Sequence, residues 1–133
     1  MKIKKFEVPY YKWRVICMLV DNYADKEAVT KKMRTLHMRD ESVKEIENQF
    51  DTKCHGGATI YYNSGTLEIV ILVMPHFSVL ELVSTLVHEG RHAADHVIES
   101  VGLEGDEASA YLTQHIIVEL IKDYIYEANT SQR

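Results

Sequence analysis

The stretch that decides the fold is residues 66–102, TLEIVILVMPHFSVLELVSTLVHEGRHAADHVIESVG. Its beginning is almost continuously apolar and β-branched, which predicts a strand covered on both faces. Pro75 closes that strand. Ser78, with Glu81 three residues later, has the form of a capping box and predicts that a helix begins there. Gly102 is expected to end this helix, because glycine readily adopts the left-handed conformation that follows a helix.

Two further strands are predicted upstream of this stretch. Residues 58–62 are rich in β-branched and aromatic residues and should form a hairpin with the strand at 66–74. The connection is Asn63-Ser64-Gly65, in which Gly65 is available for a positive φ. Residues 10–20 also alternate between apolar and other side chains, which predicts an N-terminal strand of the same small sheet.

The remaining segments favour helices. Residues 25–37 carry apolar side chains at helical spacing, and a second short helix is expected from Ser42 to Phe50, with Ser42 as its cap. A last helix should run over residues 106–128. The predicted fold class is therefore α+β: a small β-sheet, made of the N-terminal strand and the 58–74 hairpin, packed on the helix that carries residues 88–92 and on a second long C-terminal helix.

The length and composition limit the possible functions. The 133 residues fit one domain, 1–133, and the net charge of -5 argues against a nucleic-acid partner. The two cysteines, Cys17 and Cys54, form no disulfide framework or CxxC pair. No apolar run is long enough to span a membrane, and no signal-peptide cleavage site follows the basic N-terminus. We therefore expect a cytoplasmic protein with no membrane association.

One motif carries chemistry: His88-Glu89-Gly90-Arg91-His92, of the form HExxH. Histidines four residues apart lie on one face of a helix, so His88 and His92 can both reach one metal ion, and Glu89 can act as general base towards water. The nitrogen ligands favour zinc. An apolar stripe is predicted on the other side of the helix, which would leave the two histidines on its polar side. The stripe consists of Val79, Val83, Leu86, Gly90, Ala94, Val97 and Val101.

A zinc site of this kind needs a third protein ligand. His96 continues the series, but its Cα lies about 12 Å along the helix axis from that of His88, too far for both to join one site with His92. The following segment offers other donors. They are Glu104, Asp106, Glu107, His115 and Glu119.

The pattern resembles a known class of enzymes. HExxH followed on the next helix by Glu107-x-x-Ala110 looks like the gluzincin class of zinc metallopeptidases. More narrowly, HEGRHAADHVIESVG followed by DEASAYL resembles small zincins encoded by phages and mobile elements, and the resemblance covers residues 78–112. It implies His88, His92 and Glu107 as zinc ligands and Glu89 as the catalytic base. It also implies a peptide or protein substrate that lies along an edge strand beside the helix.

The spacing between the two helices leaves the third ligand open. Only 14 residues separate His92 from Glu107. If both helices ran straight to a turn near Leu103, His92 would face about position 115. Glu107 reaches the site only if the first helix ends by about Val97 or if the helices cross steeply. His115, Glu104, Asp106 and Glu119 therefore remain alternatives.

Two other functional classes also remain open. One is a non-catalytic binding or regulatory module built on a zincin fold. The other is a metal-free pair of helices that serves as an interaction surface. The binding module could hold a metal or lack one, and metal content together with Glu89→Gln separates it from the enzyme. Unchanged thermal stability after chelation would favour the metal-free helix pair, since an ion bound only to the native state stabilises that state.

Overall fold

The computed structural model describes the backbone of residues 1–131 and the side chains of residues 1–125. Within this range the chain forms four strands, four α-helices and a short 3-10 turn at Tyr23–Asp25. The strands are β1 (Lys2–Glu7), β2 (Arg14–Leu19), β3 (Ala58–Asn63) and β4 (Glu68–Val73). The helices are α1 (Lys26–Thr35), α2 (Asp40–Asp51), α3 (Val79–Val101) and α4 (Asp106–Ser131). None of the helices in the described part of the chain is both long and apolar enough to cross a membrane.

The four strands form one mixed sheet in the order β1-β2-β4-β3. β2 and β4 are parallel neighbours in its centre, with Val15 opposite Ile69, while β1 and β3 are antiparallel edge strands. Every residue of β4 is buried, as predicted from its continuous apolar run. The predicted hairpin is confirmed, since β3 pairs antiparallel with β4.

The sheet is covered on both faces. The α3–α4 pair covers one face, where its side chains pack on Val15, Cys17, Ile69 and Ile71. The α1–α2 pair covers the other face, where Met33 and other buried side chains of the two helices pack on Ile16, Met18, Val70 and Leu72. The α+β class and the packing of the two long C-terminal helices agree with the prediction. The second helical layer was not part of it.

The prediction for the N-terminal strand was partly wrong. β2 begins at Arg14, because the preceding residues form a turn that the hydrogen bond from Val8 N to Trp13 O closes at 2.7 Å. Tyr10 and Lys12 adopt positive φ values of 72° and 61° in this turn, which is incompatible with a strand. β1 was not predicted at all, since it is short and mostly polar, and its pairing with β2 is what makes it a strand.

The predicted start of the second helix was also wrong. α2 begins at Asp40, and Arg39, whose backbone is extended, occupies the N-cap position. Ser42 therefore lies in the first turn and does not cap the helix. Asp40 and Glu41 in that turn favour the earlier start, since acidic side chains are stabilised near the positive end of a helix.

The hairpin turn differs from the prediction in one residue. Leu67, with φ of 54°, takes the positive φ that was expected at Gly65. The Asn63 side-chain oxygen accepts hydrogen bonds from the backbone N–H groups of Gly65 and Thr66, at 3.0 and 3.2 Å. This Asx-type arrangement turns the chain without a left-handed glycine.

Both ends of α3 were predicted correctly. The Ser78 hydroxyl accepts a hydrogen bond from Glu81 N at 3.1 Å. At the other end Gly102 is left-handed, with φ of 65°, and its N–H donates to Glu99 O. α3 is continuous between these caps, so it does not end near Val97.

Gly90 lies at a tight contact between α3 and α4. A Cβ atom at this position would lie 3.0 Å from Ile117 Cγ1 and 3.1 Å from Leu120 Cδ1. A side chain at this position would require the Ile117 and Leu120 side chains to move by a few tenths of an ångström or more. The contact therefore determines which residues of α4 lie beside the HExxH segment.

Candidate metal centre

His88 and His92 meet on the solvent-exposed side of α3. Their Nε2 atoms lie 3.2 Å apart, and the two rings meet edge to face with centroids 4.8 Å apart. Two nitrogen ligands at the usual distance from a tetrahedral zinc ion would be about 3.3 Å apart. The pair therefore has the separation that one shared ion requires. An N–H···N hydrogen bond between two neutral imidazoles has a similar length.

Glu89 lies beside these histidines but is buried, with 8% of its surface exposed. Within residues 1–125, no hydrogen bond or ion pair involves its carboxylate. Glu68, by contrast, is 6% exposed and pairs with Arg14. Its carboxylate oxygens are not fully enclosed, so the group keeps contact with water, as a base that takes a proton from water requires.

The apolar stripe of α3 was predicted correctly only in its middle. Leu86, Gly90, Ala94 and Val97 are buried, but Val79 is 57% exposed and Val101 is 37% exposed. The described parts of the sheet and of α4 cover the middle of the helix and leave its ends exposed. The two histidines lie on the exposed side, as predicted.

The edge strand β3 lies against α3, and Tyr62 makes the contact. Its hydroxyl donates to the backbone oxygen of His92 at 3.5 Å, and its ring stacks on His96 with centroids 3.8 Å apart. His96 in turn meets Trp13 edge to face at 5.2 Å. This network holds the edge strand β3 against the part of α3 that carries the histidine pair.

Sequence reasoning did not identify Tyr62 as a residue of the site. Its position in a strand was predicted, but no local pattern shows which strand lies beside α3. Burial raises the pKa of the Tyr62 phenol, and the negative charges of Glu89 and Asp95 raise it further. The hydroxyl therefore stays protonated at neutral pH and can donate a hydrogen bond next to Glu89.

Glu107 lies elsewhere, in the exposed first turn of α4. It precedes Ile117, which contacts Gly90, by ten residues, or about 15 Å along the helix axis. Among the side chains of residues 1–125, no three His, Cys, Asp or Glu residues come together in a group that could hold a metal ion. The structure thus brings His88 and His92 together but not Glu107, whose role as a ligand stays a prediction.

Among the side chains of residues 1–125, the other candidates for the third ligand do not form a group with the histidine pair either. His88 and His92 each point about 160° around α3 from Gly90, which faces α4. His115 lies near β1, where its Nε2 is 3.3 Å from Glu7 O. Glu119 pairs with a neighbouring lysine of α4 at 2.9 Å. Glu104 and Asp106 are exposed at the start of α4.

In comparisons with family models, curated proteins and solved structures, the chain gives no match. The likeness to gluzincins therefore stays a resemblance carried by the motif residues. The geometry of His88, His92, Glu89 and Tyr62 is what the structure adds to it.

Proposed function

We propose that the protein is a zinc-dependent hydrolase that cleaves peptide bonds, of the gluzincin type that its HExxH segment resembles. One observation carries the proposal: two exposed imidazoles with Nε2 atoms 3.2 Å apart stand next to a buried glutamate without an ion-pair partner. Ordinary surface histidines do not need a buried carboxylate beside them. A hydrolytic HExxH site does, because the carboxylate next to the first histidine is its general base.

In this proposal His88 and His92 hold the ion through their Nε2 atoms, and the resemblance assigns the third position to Glu107. The two imidazoles fit zinc in donor type and in separation. When bound, zinc lowers the pKa of water and polarises a carbonyl group. The chain's own residues supply the metal ligands, the general base and the strand along which the substrate lies.

Glu89 is the general base. Its carboxylate takes a proton from the attacking water and returns it to the leaving amine. The carboxylate is accessible to water and no cation of the described chain neutralises it, which leaves it able to accept a proton. The Tyr62 phenol, protonated at neutral pH, is the neighbouring hydrogen-bond donor.

The substrate is an extended peptide that lies along β3. As an edge strand, β3 has one side without a strand partner among the described strands, and an extended chain can pair with it. A groove of about 500 Å³ lies between the end of this strand and the α1–α2 connection. Its lining includes His37, Arg39, Tyr61 and Tyr62. Tyr61 packs on the α1–α2 side of the sheet and Tyr62 contacts α3, so the groove lies beside β3 at the end of the strand.

Metal stoichiometry tests the ligand assignment. Plasma mass spectrometry of the purified protein should find about one zinc per chain, lost in His88→Ala and in His92→Ala. His37→Ala, which removes an exposed histidine outside the pair, is the control and should keep the metal. Glu107→Ala tests the third ligand. If zinc is lost with His88 but kept without Glu107, another donor completes the site.

Hydrolysis tests the catalytic assignment. Glu89→Gln should keep its zinc and lose at least about a hundredfold in the cleavage of a peptide library. Glu99→Gln, an exposed glutamate on the same helix, is the matched control and should retain activity. A clean Glu89→Gln preparation that cleaves as well as the wild type would end the proposal. Zinc binding without any hydrolysis by the wild type would instead assign the chain to the non-catalytic modules.

A further inference from the structure

A crevice of about 420 Å³ opens where β2 and β4 end. It is lined by residues 19–21 and 73–79, by Leu82, and at its sides by Lys2 and Tyr124. Val79 precedes His88 by nine residues, so the crevice lies about 13 Å along α3 from the histidine pair. It is therefore a separate site, and no part of the proposed hydrolysis uses it.

The sheet topology explains why a crevice forms there. β2 and β4 are parallel neighbours, so both end at the same edge of the sheet. From β2 the chain enters α1, which covers one face, and from β4 it enters α3, which covers the other. Two connections that leave neighbouring parallel strands towards opposite faces diverge and leave a gap. In open parallel sheets, ligands bind in gaps of this kind.

The floor and walls of the crevice are mainly apolar. Leu19, Val73 and Met74 are buried at its base. His76 forms a fixed wall, because its Nδ1 is 2.6 Å from Met74 O and its Nε2 is 2.8 Å from the Thr85 hydroxyl. Both ring nitrogens are thus engaged. An apolar group of a ligand is the natural occupant of this part.

The charged groups lie at the rim. Lys2 stands directly opposite Leu19 in the β1–β2 register and lines the crevice, and its positive charge also helps to lower the pKa of the Asp123 carboxyl. Asp21 lies on the same rim, but it is largely exposed and is 4.0 Å from the Met1 ammonium. Among the residues that line the crevice, Lys2 is the one with an ammonium group that can pair with an anion. We propose that the crevice binds a small organic anion, a carboxylate or phosphate on an apolar body.

A titration followed by ¹H–¹⁵N NMR tests this inference. The probes are hexanoate, butyl phosphate and the neutral analogue hexanamide. Both anions should give saturable shifts at the amides of Val20, His76 and Val79. Hexanamide should bind at least about fivefold more weakly, since it keeps the apolar body and lacks the charge. The tighter of the two anions identifies the head group.

Two pairs of variants complete the test. Val79→Glu places a carboxylate in the crevice and should weaken hexanoate binding at least about tenfold. Val118→Glu, which introduces the same charge at an exposed site on α4, should not. Lys2→Gln should weaken binding about fivefold and Lys31→Gln, on α1, should leave it unchanged. Thermal unfolding of each variant checks that the fold is intact.

Three results would overturn the inference. The first is the absence of saturable shifts with both anions. The second is a Val79→Glu variant that binds hexanoate as well as the wild type. The third is hexanamide binding as tight as that of hexanoate. None of these measurements requires bound zinc or the side chains of His88 and His92. Anion binding in the crevice can therefore be refuted while the proposed hydrolase function stands, and the hydrolase function can be refuted while anion binding stands.

Discussion

Glu68 and Glu89 are both buried within the described part of the chain, yet their surroundings differ. Glu68 pairs with Arg14, whereas the Glu89 carboxylate takes part in no ion pair there. Replacement by glutamine keeps the shape and removes the charge. We therefore expect opposite signs: Glu68→Gln lowers the free energy of unfolding, and Glu89→Gln raises it in metal-free protein.

The structure sets the size of both effects. The Arg14–Glu68 pair has an N–O distance of 2.5 Å, and a charge-assisted hydrogen bond of this kind contributes about 1.5–3 kcal/mol. Arg14 is 49% exposed and regains water when the pair is lost, so the net loss should be about 1–2 kcal/mol. For Glu89→Gln we expect a gain of about 0.5–1 kcal/mol, since the charge is buried but retains some contact with water.

Urea unfolding in the presence of a chelator measures both changes. Trp13, the only tryptophan in the sequence, is buried and reports the transition by fluorescence. With a slope of about 1–1.5 kcal/mol/M, Glu68→Gln should lower the midpoint by about 1 M. Glu89→Gln should raise it by about half that. If Glu89→Gln destabilised the protein as much as Glu68→Gln does, Glu89 would have a stabilising partner and the reasoning would be refuted.

Three smaller predictions concern the framework. Ser78→Ala removes the N-cap of α3 and should lower the free energy of unfolding by about 1 kcal/mol in the same urea assay. Ser84→Ala, at an exposed position of the same helix, should change it little. Gly90→Val should cost about 2 kcal/mol, because its Cβ would lie 3.0 Å from an α4 side chain; an unchanged melting temperature would show that the helices separate freely. Burial tends to raise the pKa of Glu68, but hydrogen bonds, including one from Arg14, bring it below its ordinary 4.5. The stabilisation it provides is present above pH 4.5 and is lost as the pH falls through the lowered pKa. The wild type should therefore lose more stability than Glu68→Gln between about pH 5 and 3.

Much of α3 could be predicted because its determinants are local. Ser78 caps its own first turn, and Gly102 ends the helix through its own left-handed backbone. His88 and His92 come together because the helical repeat places residues four apart on one face. Each of these features depends on a few neighbouring residues.

The surroundings of the histidine pair could not be predicted in this way. Tyr62 is 30 residues from His92 in the sequence, and only the packing of β3 against α3 brings them together. The position of Glu107 depends on the level at which α4 crosses α3, and the contact of Gly90 with Ile117 sets that level. Spacing alone left this question open, because it does not determine where two helices touch.

The sequence by itself determined the apolar run of β4, the extent and caps of α3, and the histidine pair, since hydrogen bonding and helical periodicity act over a few residues. Tertiary structure decided the rest. β1 is a strand because it pairs with β2, and β4 lies parallel to β2 because the chain crosses over through α1, α2 and β3 before it enters β4. Hydrophobic burial is non-directional and acts between residues far apart in the chain, so it leaves no local pattern from which strand order can be predicted.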